Sequence, residues 1–418
     1  MKKLLLILLC LPMIGFGQGW IKTYGDNYEQ EGHTVQETTD GGYIVTGFDD
    51  VFGNEYVNAL LIKYDTQGNI LWNKNYGTNN WAERALCGQQ TSDGGYVMCG
   101  NSTTVGTISK GIIIKTDTQG DTLWIRNFPN YFFRIIRQTN DGGYILCGSY
   151  IDSPTYSGFI KKVDNSGYEQ WTKMFSNFVK CVEQTNDGGY IIGLDSSYVS
   201  SQNLNQNSPF IIKTDVNGIP VWNKLYNFIS GEKSVYIKNI KPTINGYIIG
   251  LDVGLINIDN IGDTIWSKKY FQNDINVVCR FGGFQISNNG GYVLVGGIAD
   301  TSNNMNAIIL KVDDYGNIEW NKIYDVNLED ILGSVDQTSD GGYIMTGYTT
   351  SAQNYIDILT IKTDGNGNIT STFNIPINPN RKLDKTVDIL GKETKPKKNI
   401  PFIEIYDDGT VEKKIIIE

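Results

Sequence analysis

The chain has 418 residues, of which 19% are charged, and its formal net charge at pH 7 is −10. This acidic balance argues against nucleic acid and against anionic membrane surfaces as partners, because both repel a negatively charged protein. The 47 Gly residues and the 12% aromatic content are typical of many short β-strands joined by glycine turns, so we expect an all-β fold.

The first 17 residues have the pattern of a secretory signal peptide. Lys2 and Lys3 precede an apolar run that extends to Phe16, and cleavage is expected after Gly17. A lipoprotein signal would instead use Cys10, but a leucine stands before it where a small residue is required. No later run reaches the roughly 18 apolar residues of a membrane-spanning helix, so we expect an exported chain with no transmembrane segment in its mature form.

From residue 18 to residue 373 the sequence repeats one phrase. A Gly-Gly-Tyr element occurs six times, and Asn245-Gly246-Tyr247 is a degenerate seventh copy. Spacings of roughly 45 to 57 residues lie near the period of a four-stranded propeller blade. A second element, Lys-x-Asp-x-x-Gly with Trp four residues after the Gly, tracks the first. One example is Lys63, Asp65, Gly68 and Trp72.

Each repeat reads as four short strands, for example residues 84–90, 96–100, 112–117 and 122–128. The Asp-Gly pair that precedes Gly-Tyr in five of the copies predicts a tight hairpin turn with both of its residues at positive φ. The Asp-x-x-Gly turn predicts a type I turn that ends in a left-handed Gly bulge. Apolar runs such as Ile112-Ile113-Ile114 do not alternate, which indicates sheets covered on both faces. Seven such sheets predict a seven-bladed β-propeller of four-stranded antiparallel blades.

The tryptophans predict how the ring closes. Trp20 begins a phrase that matches the fourth strand of other repeats, yet no blade precedes it, and the last repeat has Ser371 where its Trp should stand. We therefore expect the N-terminal strand to complete the last blade, which removes two exposed sheet edges. The repeat tryptophans are expected to be structural: Trp20, Trp72, Trp124, Trp171, Trp222, Trp266 and Trp320.

Little in the sequence points to catalysis, and no catalytic residue is identified. His33 is the only histidine and no Gly-x-Ser-x-Gly is present, so we expect a structural or surface role for His33. His and Cys do not cluster as they do in zinc sites, and we expect no metal and no cofactor. A glycosidase needs only two carboxylates, and Glu31, Glu83 and Asp330 leave that possibility open.

Five cysteines follow the signal peptide: Cys87, Cys99, Cys147, Cys181 and Cys279. Cys87 and Cys99 flank a predicted hairpin turn symmetrically, so a cross-strand disulfide between them is geometrically possible. The five residues also occupy apolar positions of the repeat, and no paired framework is visible. We therefore favour small buried side chains over disulfides.

The phrase from Lys115 to Trp124, Lys-Thr-Asp-x-x-Gly followed by Leu-Trp, resembles the Trp-docking repeat of quinone-dependent dehydrogenase propellers. In that family the motif is structural, so the resemblance implies a fold and not an activity. The Asp-box of sialidases is also similar, but its Asp-to-Gly and Gly-to-Trp spacings are each one residue shorter. A calcium loop would need alternating ligands and a closing Glu, which are absent, and a turn explains the Asp and Gly.

Both tight turns lie on one side of the predicted disc, so the longer connections lie on the other side, which we name the variable-loop face. Loops on a rigid scaffold commonly carry binding residues. If the fourth strand is outermost, the first strand lines the channel. Ten residues before the first Gly of each Gly-Gly-Tyr element lie Glu31, Arg84, Phe132, Phe178, Val235, Arg280 and Ile331.

Two arginines, a carboxylate and two aromatics at a channel mouth would suit an anionic or carbohydrate ligand. The alternative is that these are ordinary packing and solvated positions. Exposed aromatics, including Tyr56 and Tyr156, are expected on or near the same face. The candidate ligand-binding residues are Glu31, Trp81, Arg84, Phe132, Phe178, Arg280, Tyr150 and Tyr198.

After the propeller, residues 374–381 read as a Pro/Asn linker, and residues 382–418 as a strand, a basic loop and a hairpin that turns at residues 407–409. The segments 387–393 and 406–410 and the terminal Lys-Lys-Ile-Ile-Ile resemble the C-terminal sorting domains of the type IX secretion system of Bacteroidetes. The resemblance implies Sec export, the type IX machinery as a partner, removal of the tail, and release or surface attachment. A plain terminal hairpin is the alternative.

These features predict an exported or cell-surface β-propeller with a small C-terminal β appendage. We expect it to act as a binding or adhesion module for extracellular polysaccharide or protein through the variable-loop face. The main alternative is a secreted carbohydrate-active enzyme, a carboxylate-based glycoside hydrolase or lyase. A structural component of a surface layer is a third possibility.

Overall fold

The computed structural model describes residues 19–50, 57–77, 82–103, 110–152, 155–195, 208–226, 235–271, 279–300, 302, 304–369, 382–388, 392–397, 402–407 and 411–414. Every regular element within these ranges is a β-strand. The chain divides into two compact units, residues 1–370 and residues 371–418. The predicted signal peptide, residues 1–17, lies outside the described residues.

The first unit contains the strands β1 Trp20–Tyr24, β2 Gln30–Glu37, β3 Tyr43–Asp50, β4 Val57–Tyr64, β5 Ile70–Tyr76, β6 Ala82–Gln90, β7 Tyr96–Thr103, β8 Lys110–Thr116, β9 Thr122–Pro129, β10 Tyr131–Gln138, β11 Tyr144–Asp152, β12 Thr155–Val163, β13 Glu169–Phe175, β14 Val179–Gln184, β15 Tyr190–Asp195, β16 Pro209–Thr214, β17 Pro220–Leu225, β18 Ile237–Pro242, β19 Gly246–Leu251, β20 Gly254–Asp259, β21 Thr264–Lys269, β22 Cys279–Ile286, β23 Tyr292–Ala299, β24 Met305–Val312, β25 Ile318–Tyr324, β26 Glu329–Gln337, β27 Tyr343–Thr350 and β28 Ile356–Thr363. The second unit contains β29 Leu383–Asp388, β30 Phe402–Tyr406 and β31 Val411–Lys414.

Seven four-stranded antiparallel sheets form the first unit, which confirms the predicted seven-bladed β-propeller. Blades 1 to 6 each use four consecutive strands, starting with β2-β3-β4-β5, and blade 7 has the order β26-β27-β28-β1. The first strands of neighbouring blades contact one another, including β2 with β26, so the ring is closed. The second and third strands are almost entirely buried, because each sheet is covered on both faces by its neighbours.

The N-terminal strand completes the last blade, as the tryptophan pattern predicts. Trp20 pairs with Lys362, and the register continues to Tyr24 opposite Ile358. Trp20 itself is buried and lies in a core cluster that combines blade 7 with blade 1.

Each repeat tryptophan packs against a glycine of the following blade. The glycine is the left-handed residue of the Asp-x-x-Gly turn, with φ between 73° and 84°, and a Cβ built on it would lie 2.6 to 3.0 Å from the indole. Glycine is therefore required both by backbone conformation and by contact. The indole also meets the Tyr of the next Gly-Gly-Tyr element edge-on, as between Trp72 and Tyr96 at 5.8 Å. All seven tryptophans take part, and the pair Trp20–Gly68 joins blade 7 to blade 1.

The two tight turns have the same backbone form, which corrects one prediction. In the Asp-Gly-Gly turn of blade 1, only Gly41 has positive φ, and its N–H donates to the Thr38 carbonyl at 2.8 Å. Asp40 stays at negative φ because its carboxylate accepts hydrogen bonds from the Gly42 amide and the Thr38 hydroxyl. The Asp-x-x-Gly turn has the predicted left-handed Gly.

The lysine of the second repeat element anchors the turn of the first. Lys63 is buried, and its ammonium lies 2.8 Å from Asp40. Blades 2, 3, 4 and 7 repeat this ion pair. Blade 6 has Asn289 in place of the aspartate, and its Lys311 pairs with Glu319 instead. Blade 5 lacks both partners, since Ile244 and Asn257 occupy the two positions.

The cysteines are free thiols. Cys87 and Cys99 lie opposite each other in the register of β6 and β7, yet all five cysteines among the described residues are free and buried. This confirms the preference for small buried side chains. No helix among the described residues is long and apolar enough to cross a membrane.

The second unit contains a small three-stranded antiparallel sheet with the order β29-β30-β31. The Lys382 amide donates to the Asp407 carboxylate at 2.8 Å, and the Asp407 amide donates back to the Lys382 carbonyl at 2.9 Å. The predicted hairpin turn lies partly outside the described residues, which omit 408–410. The sheet matches the predicted β appendage but does not test its role in sorting.

We predict that Gly68→Ala lowers the free energy of unfolding by at least about 2 kcal/mol, because it forces a Cβ into both a left-handed backbone and the Trp20 ring. Denaturant unfolding measures the change. Gly333→Ala is the matched control, since its Cβ would meet no atom within 4 Å and its φ is not left-handed. Equal stability of the two variants would contradict the role given to the Trp–Gly contact.

Candidate ligand-binding channel

The first strands of the seven blades surround a central channel of about 580 Å³, a volume within the ~300–1,000 Å³ range of small-molecule sites. A β-bulge inserts one extra residue into each of these strands. We name these residues the bulge ring: His33, Leu86, Arg134, Lys180, Lys238, Gly282 and Gly333. All of them except Lys180 line the channel.

A second ring lies three residues further along each first strand, nearer the tight turns. We name it the turn-side ring: Gln36, Gln89, Arg137, Glu183, Lys241, Gln285 and Asp336, all of which line the channel. The first strands run from the variable-loop face to the Asp-Gly-Gly turns, so the bulge ring is the one nearer the variable-loop face.

Charge in the turn-side ring is compensated. The Glu183 carboxylate accepts a hydrogen bond from Arg137 Nε at 2.8 Å, and the Lys241 ammonium lies 3.8 Å away. Although burial opposes ionisation, these two cations hold the pKa of Glu183 below its ordinary value. The Asp336 carboxylate accepts from the Gln285 amide at 2.8 Å and from the Glu37 backbone at 3.1 Å.

Charge in the bulge ring is not compensated. Lys180 pairs with Asp195 at 3.1 Å, but neither Arg134 nor Lys238 makes an ion pair or a side-chain hydrogen bond with any residue that the structure describes. Burial lowers the pKa of Lys238, and the nearby Arg134 charge lowers it further, against the attraction of Asp252. Two cations thus line the same channel without an ion pair, although Asp252 and Asp195 attract Lys238. Arg134 is exposed to solvent and Lys238 is half-buried.

His33 lines this channel and has one unsatisfied polar atom. Its Nε2 is buried and has no hydrogen-bond partner among the described residues, and it lies 3.8 Å from the Glu31 carboxylate. Burial, with Arg134 and Arg84 adding to it, lowers the pKa of His33 to about 4. The imidazole is therefore neutral at physiological pH. Burial also raises the pKa of Glu31, with Glu29 adding to the effect and Arg84 opposing it.

The arginines and the carboxylate among the predicted site residues lie two residues before the bulges of their first strands, a place that we name the mouth position. The two arginines are not among the residues that line the channel. Glu31 lines the channel itself. Arg84 is exposed, and its guanidinium lies 4.6 Å from the centre of the Phe48 ring. Arg280 is half-exposed and pairs with Asp252 at 3.4 Å.

The predicted aromatic residues divide into two groups. Phe132 and Phe178 are half-buried near the start of their blades' first strands, and the exposed Tyr156 lies 6.3 Å from Phe178. Tyr150 instead packs against Tyr131, with 4.8 Å between ring centres. Trp81 and Tyr198, like Tyr56, lie outside the described residues.

Counting back from the Gly-Gly-Tyr element gave the wrong residue in blade 5. The turn there is one residue shorter, since the Thr243 amide donates to the Gly246 carbonyl. Tyr236, which is exposed, therefore takes the mouth position, and Val235 is buried in the core. The sequence reasoning also missed Arg134 and Lys238. The sequence did contain a signal for them. In blades 1, 3 and 4 a histidine or a cation stands two residues after the mouth position, at His33, Arg134 and Lys180.

The other carboxylates considered for catalysis are structural. Asp330 is fully buried and accepts hydrogen bonds from two backbone amides and the Thr349 hydroxyl. Glu83 is also buried and accepts from the Ser102 hydroxyl at 3.3 Å. Within the described ranges, no three His, Cys, Asp or Glu side chains are placed to hold a metal ion.

No protein-family model matches the chain, and no curated protein matches it. Its fold is similar to the crystal structure of a protein of unknown function from Bacteroides caccae, with 13% identity and a TM-score of 0.43 over 65% of this chain and 90% of that one. It is also similar to the Dos1 propeller, with 11% identity and a TM-score of 0.47 over 82% and 95% of the two chains.

A third similar structure is Chaetomium thermophilum Sqt1 bound to the N-terminus of ribosomal protein L10. The identity is 8% and the TM-score 0.46, over 80% of this chain and 98% of that one. All three TM-scores are below 0.5, and the propeller is established by the strand pairing described above.

We predict that the His33 imidazole titrates with a midpoint near pH 4, which NMR can follow because no other histidine is present. Since the folded pKa lies below the unfolded value of about 6.5, the unfolded chain binds the proton first. This contribution to stability is full above about pH 6.5 and is lost as the pH falls towards 4. Arg134→Ala should raise the midpoint, and a midpoint near 6.5 in the unsubstituted protein would refute the described environment.

Proposed function

We propose that the chain is an exported β-propeller that binds extracellular polysaccharide or protein at its variable-loop face. The observation that carries the proposal is that two cations, the exposed Arg134 and the half-buried Lys238, line the channel in the ring nearer that face and make no ion pair with a described residue. Unpaired like charges reduce the stability of the folded protein, and such groups are typical of binding sites. A ligand that supplies the missing counter-charge would offset that cost.

The contrast between the two faces supports the choice of surface. On the turn side, the Asp-Gly-Gly turns bond their own aspartates, threonines and lysines in repeated fashion. Five blades therefore present the same turn on this side, which offers little variation for recognising a ligand. The other end of the channel has the bulge ring, the mouth arginines and the aromatic pair Tyr156–Phe178.

Two terminal segments support an extracellular address. The signal-peptide pattern of residues 1–17 and the tail of residues 382–418 are the two parts that type IX export requires. We include in the proposal that the type IX machinery recognises the tail, and that the propeller is then released or held on the cell surface. Deletion of residues 382–418 should leave the protein in the periplasm, which cell fractionation measures. Unchanged export of the truncated chain would reject the sorting role.

We predict that Arg84→Ala combined with Tyr156→Ala weakens ligand binding at least about tenfold, because both side chains are exposed on the variable-loop side. The ligand is first sought with a glycan array and a pull-down of cell-surface proteins. Tyr315→Ala is the matched control, since Tyr315 is 73% exposed in a turn on the opposite side. Absence of any glycan or protein ligand, or equal loss in the control, would refute the proposal.

The alternative function is a carbohydrate-active enzyme, and one observation favours it. Glu31 lies at the channel mouth with a raised pKa, as a general acid requires. Glu183, the carboxylate that lines the same channel from blade 4, is bound to Arg137. Release of new reducing or unsaturated sugar ends, abolished by Glu31→Gln with binding retained, would establish the enzyme instead of the binder.

A further inference from the structure

We propose that the Arg134–Lys238 side of the channel binds the carboxylate of an acidic sugar, so that the ligand is a polysaccharide containing uronic acids. This inference rests on the proposed function and specifies its ligand. Arg134 offers a planar fork that fits a carboxylate with two hydrogen bonds, and Lys238 adds a point charge. Arg134 and Lys238 give this side of the channel a local positive charge although the whole chain is acidic. Its carboxylates are paired, Asp195 with Lys180 and Asp252 with Arg280.

The channel also offers neutral donors that suit hydroxyl groups. Gln36 and Asn239 each accept a backbone N–H through the amide oxygen, at 2.8 Å in both cases. Their NH₂ groups therefore remain free to donate. Gln89 lines the channel and makes no side-chain hydrogen bond within the described part of the chain. A ligand rich in hydroxyls can use such donors, whereas an apolar ligand would leave them unpaired.

The blades opposite the cations leave space for a sugar ring. Gly282, Gly283 and Gly333 line this side of the channel. At Gly282 and Gly283 a Cβ would lie 2.4 and 2.6 Å from backbone oxygens of blade 7, so neither position can carry a side chain. A Cβ on Gly333 would meet nothing within 4 Å. The bulge ring is thus cationic on blades 3 to 5 and open on blades 6 and 7.

His33 provides an internal reporter of carboxylate binding at Arg134. It lines the same channel, its Nε2 lacks a partner, and the Arg134 charge acts on it. A carboxylate bound at Arg134 would cancel part of that positive field. The His33 pKa should therefore rise on binding, and its ring resonances should shift.

The test uses calorimetry on the full chain at low salt with three probes: tetragalacturonate, its methyl ester and hexaglutamate. We expect tetragalacturonate to bind, and the ester, which keeps the hydroxyls but not the charge, to bind at least about tenfold more weakly. Arg134→Gln and Lys238→Gln should each weaken tetragalacturonate binding at least about tenfold. Lys224→Gln is the matched control, because Lys224 pairs with Asp263 on an outer strand.

A second readout separates loss of the site from loss of the fold. Arg134→Gln removes repulsion from Lys238, so the variant should unfold at the same or a higher temperature while it loses binding. Tetragalacturonate should also shift the His33 resonances of the unsubstituted protein. If Arg134→Gln loses both binding and stability, Arg134→Lys takes its place, because it keeps the charge. This variant should still bind tetragalacturonate more tightly than the methyl ester.

The outcomes that overturn the inference differ from those that overturn the proposed function. Equal binding of the ester and the acid, tighter binding of hexaglutamate, or unmoved His33 resonances reject a uronate site. In each of these cases the proposed function still holds if the protein binds another glycan or a protein and Tyr156→Ala weakens that binding. If no ligand of any kind binds, the proposed function fails, and the uronate inference fails with it.

Discussion

The contact on which this structure depends is the tryptophan of one blade lying on the left-handed glycine of the next. It imposes glycine at one turn of every blade, since any Cβ would enter the indole. In four blades the contact is strengthened by a tyrosine hydroxyl that donates to the carbonyl of the same glycine. Because Trp20 makes this contact with Gly68, the seven Trp–Gly contacts form an unbroken ring. The position of every first strand around the axis follows from them.

This rigid ring explains how the channel can hold unpaired charge. Arg134 and Lys238 lie on strands fixed by neighbours on both sides, so the strands cannot move apart to relieve their repulsion. The turn-side ring differs, since Glu183 is paired with Arg137 and Asp336 accepts two hydrogen bonds. Two rings only three residues apart in the sequence thus have different electrostatic character, and only the one nearer the variable loops presents cations without an ion pair.

Much of the architecture could be read from the sequence because it follows from short-range chemistry. The spacing of Trp, Gly and Tyr gave the blade number, and the missing tryptophan at Ser371 gave the closure. The bulge in each first strand has no such signature, since residues as different as Leu86, Lys238 and Gly333 occupy it. Counting from a turn also fails where the turn changes length. In blade 5 the count therefore predicted Val235 at the mouth position, which Tyr236 occupies. The pairing of Lys63 with Asp40 joins two elements that the sequence pattern treats as independent.

Closure by β1 also determines how the chain can misfold. Trp20 and Lys362 are neighbours in the sheet but stand at opposite ends of the propeller sequence, so joining them carries a large loop-closure entropy. Until β1 is in place, β28 has an unpaired edge, and the β1 strand of a second molecule fits that edge equally well. Intramolecular and intermolecular pairing therefore compete during folding, and protein concentration decides between a monomeric ring and a domain-swapped chain of rings.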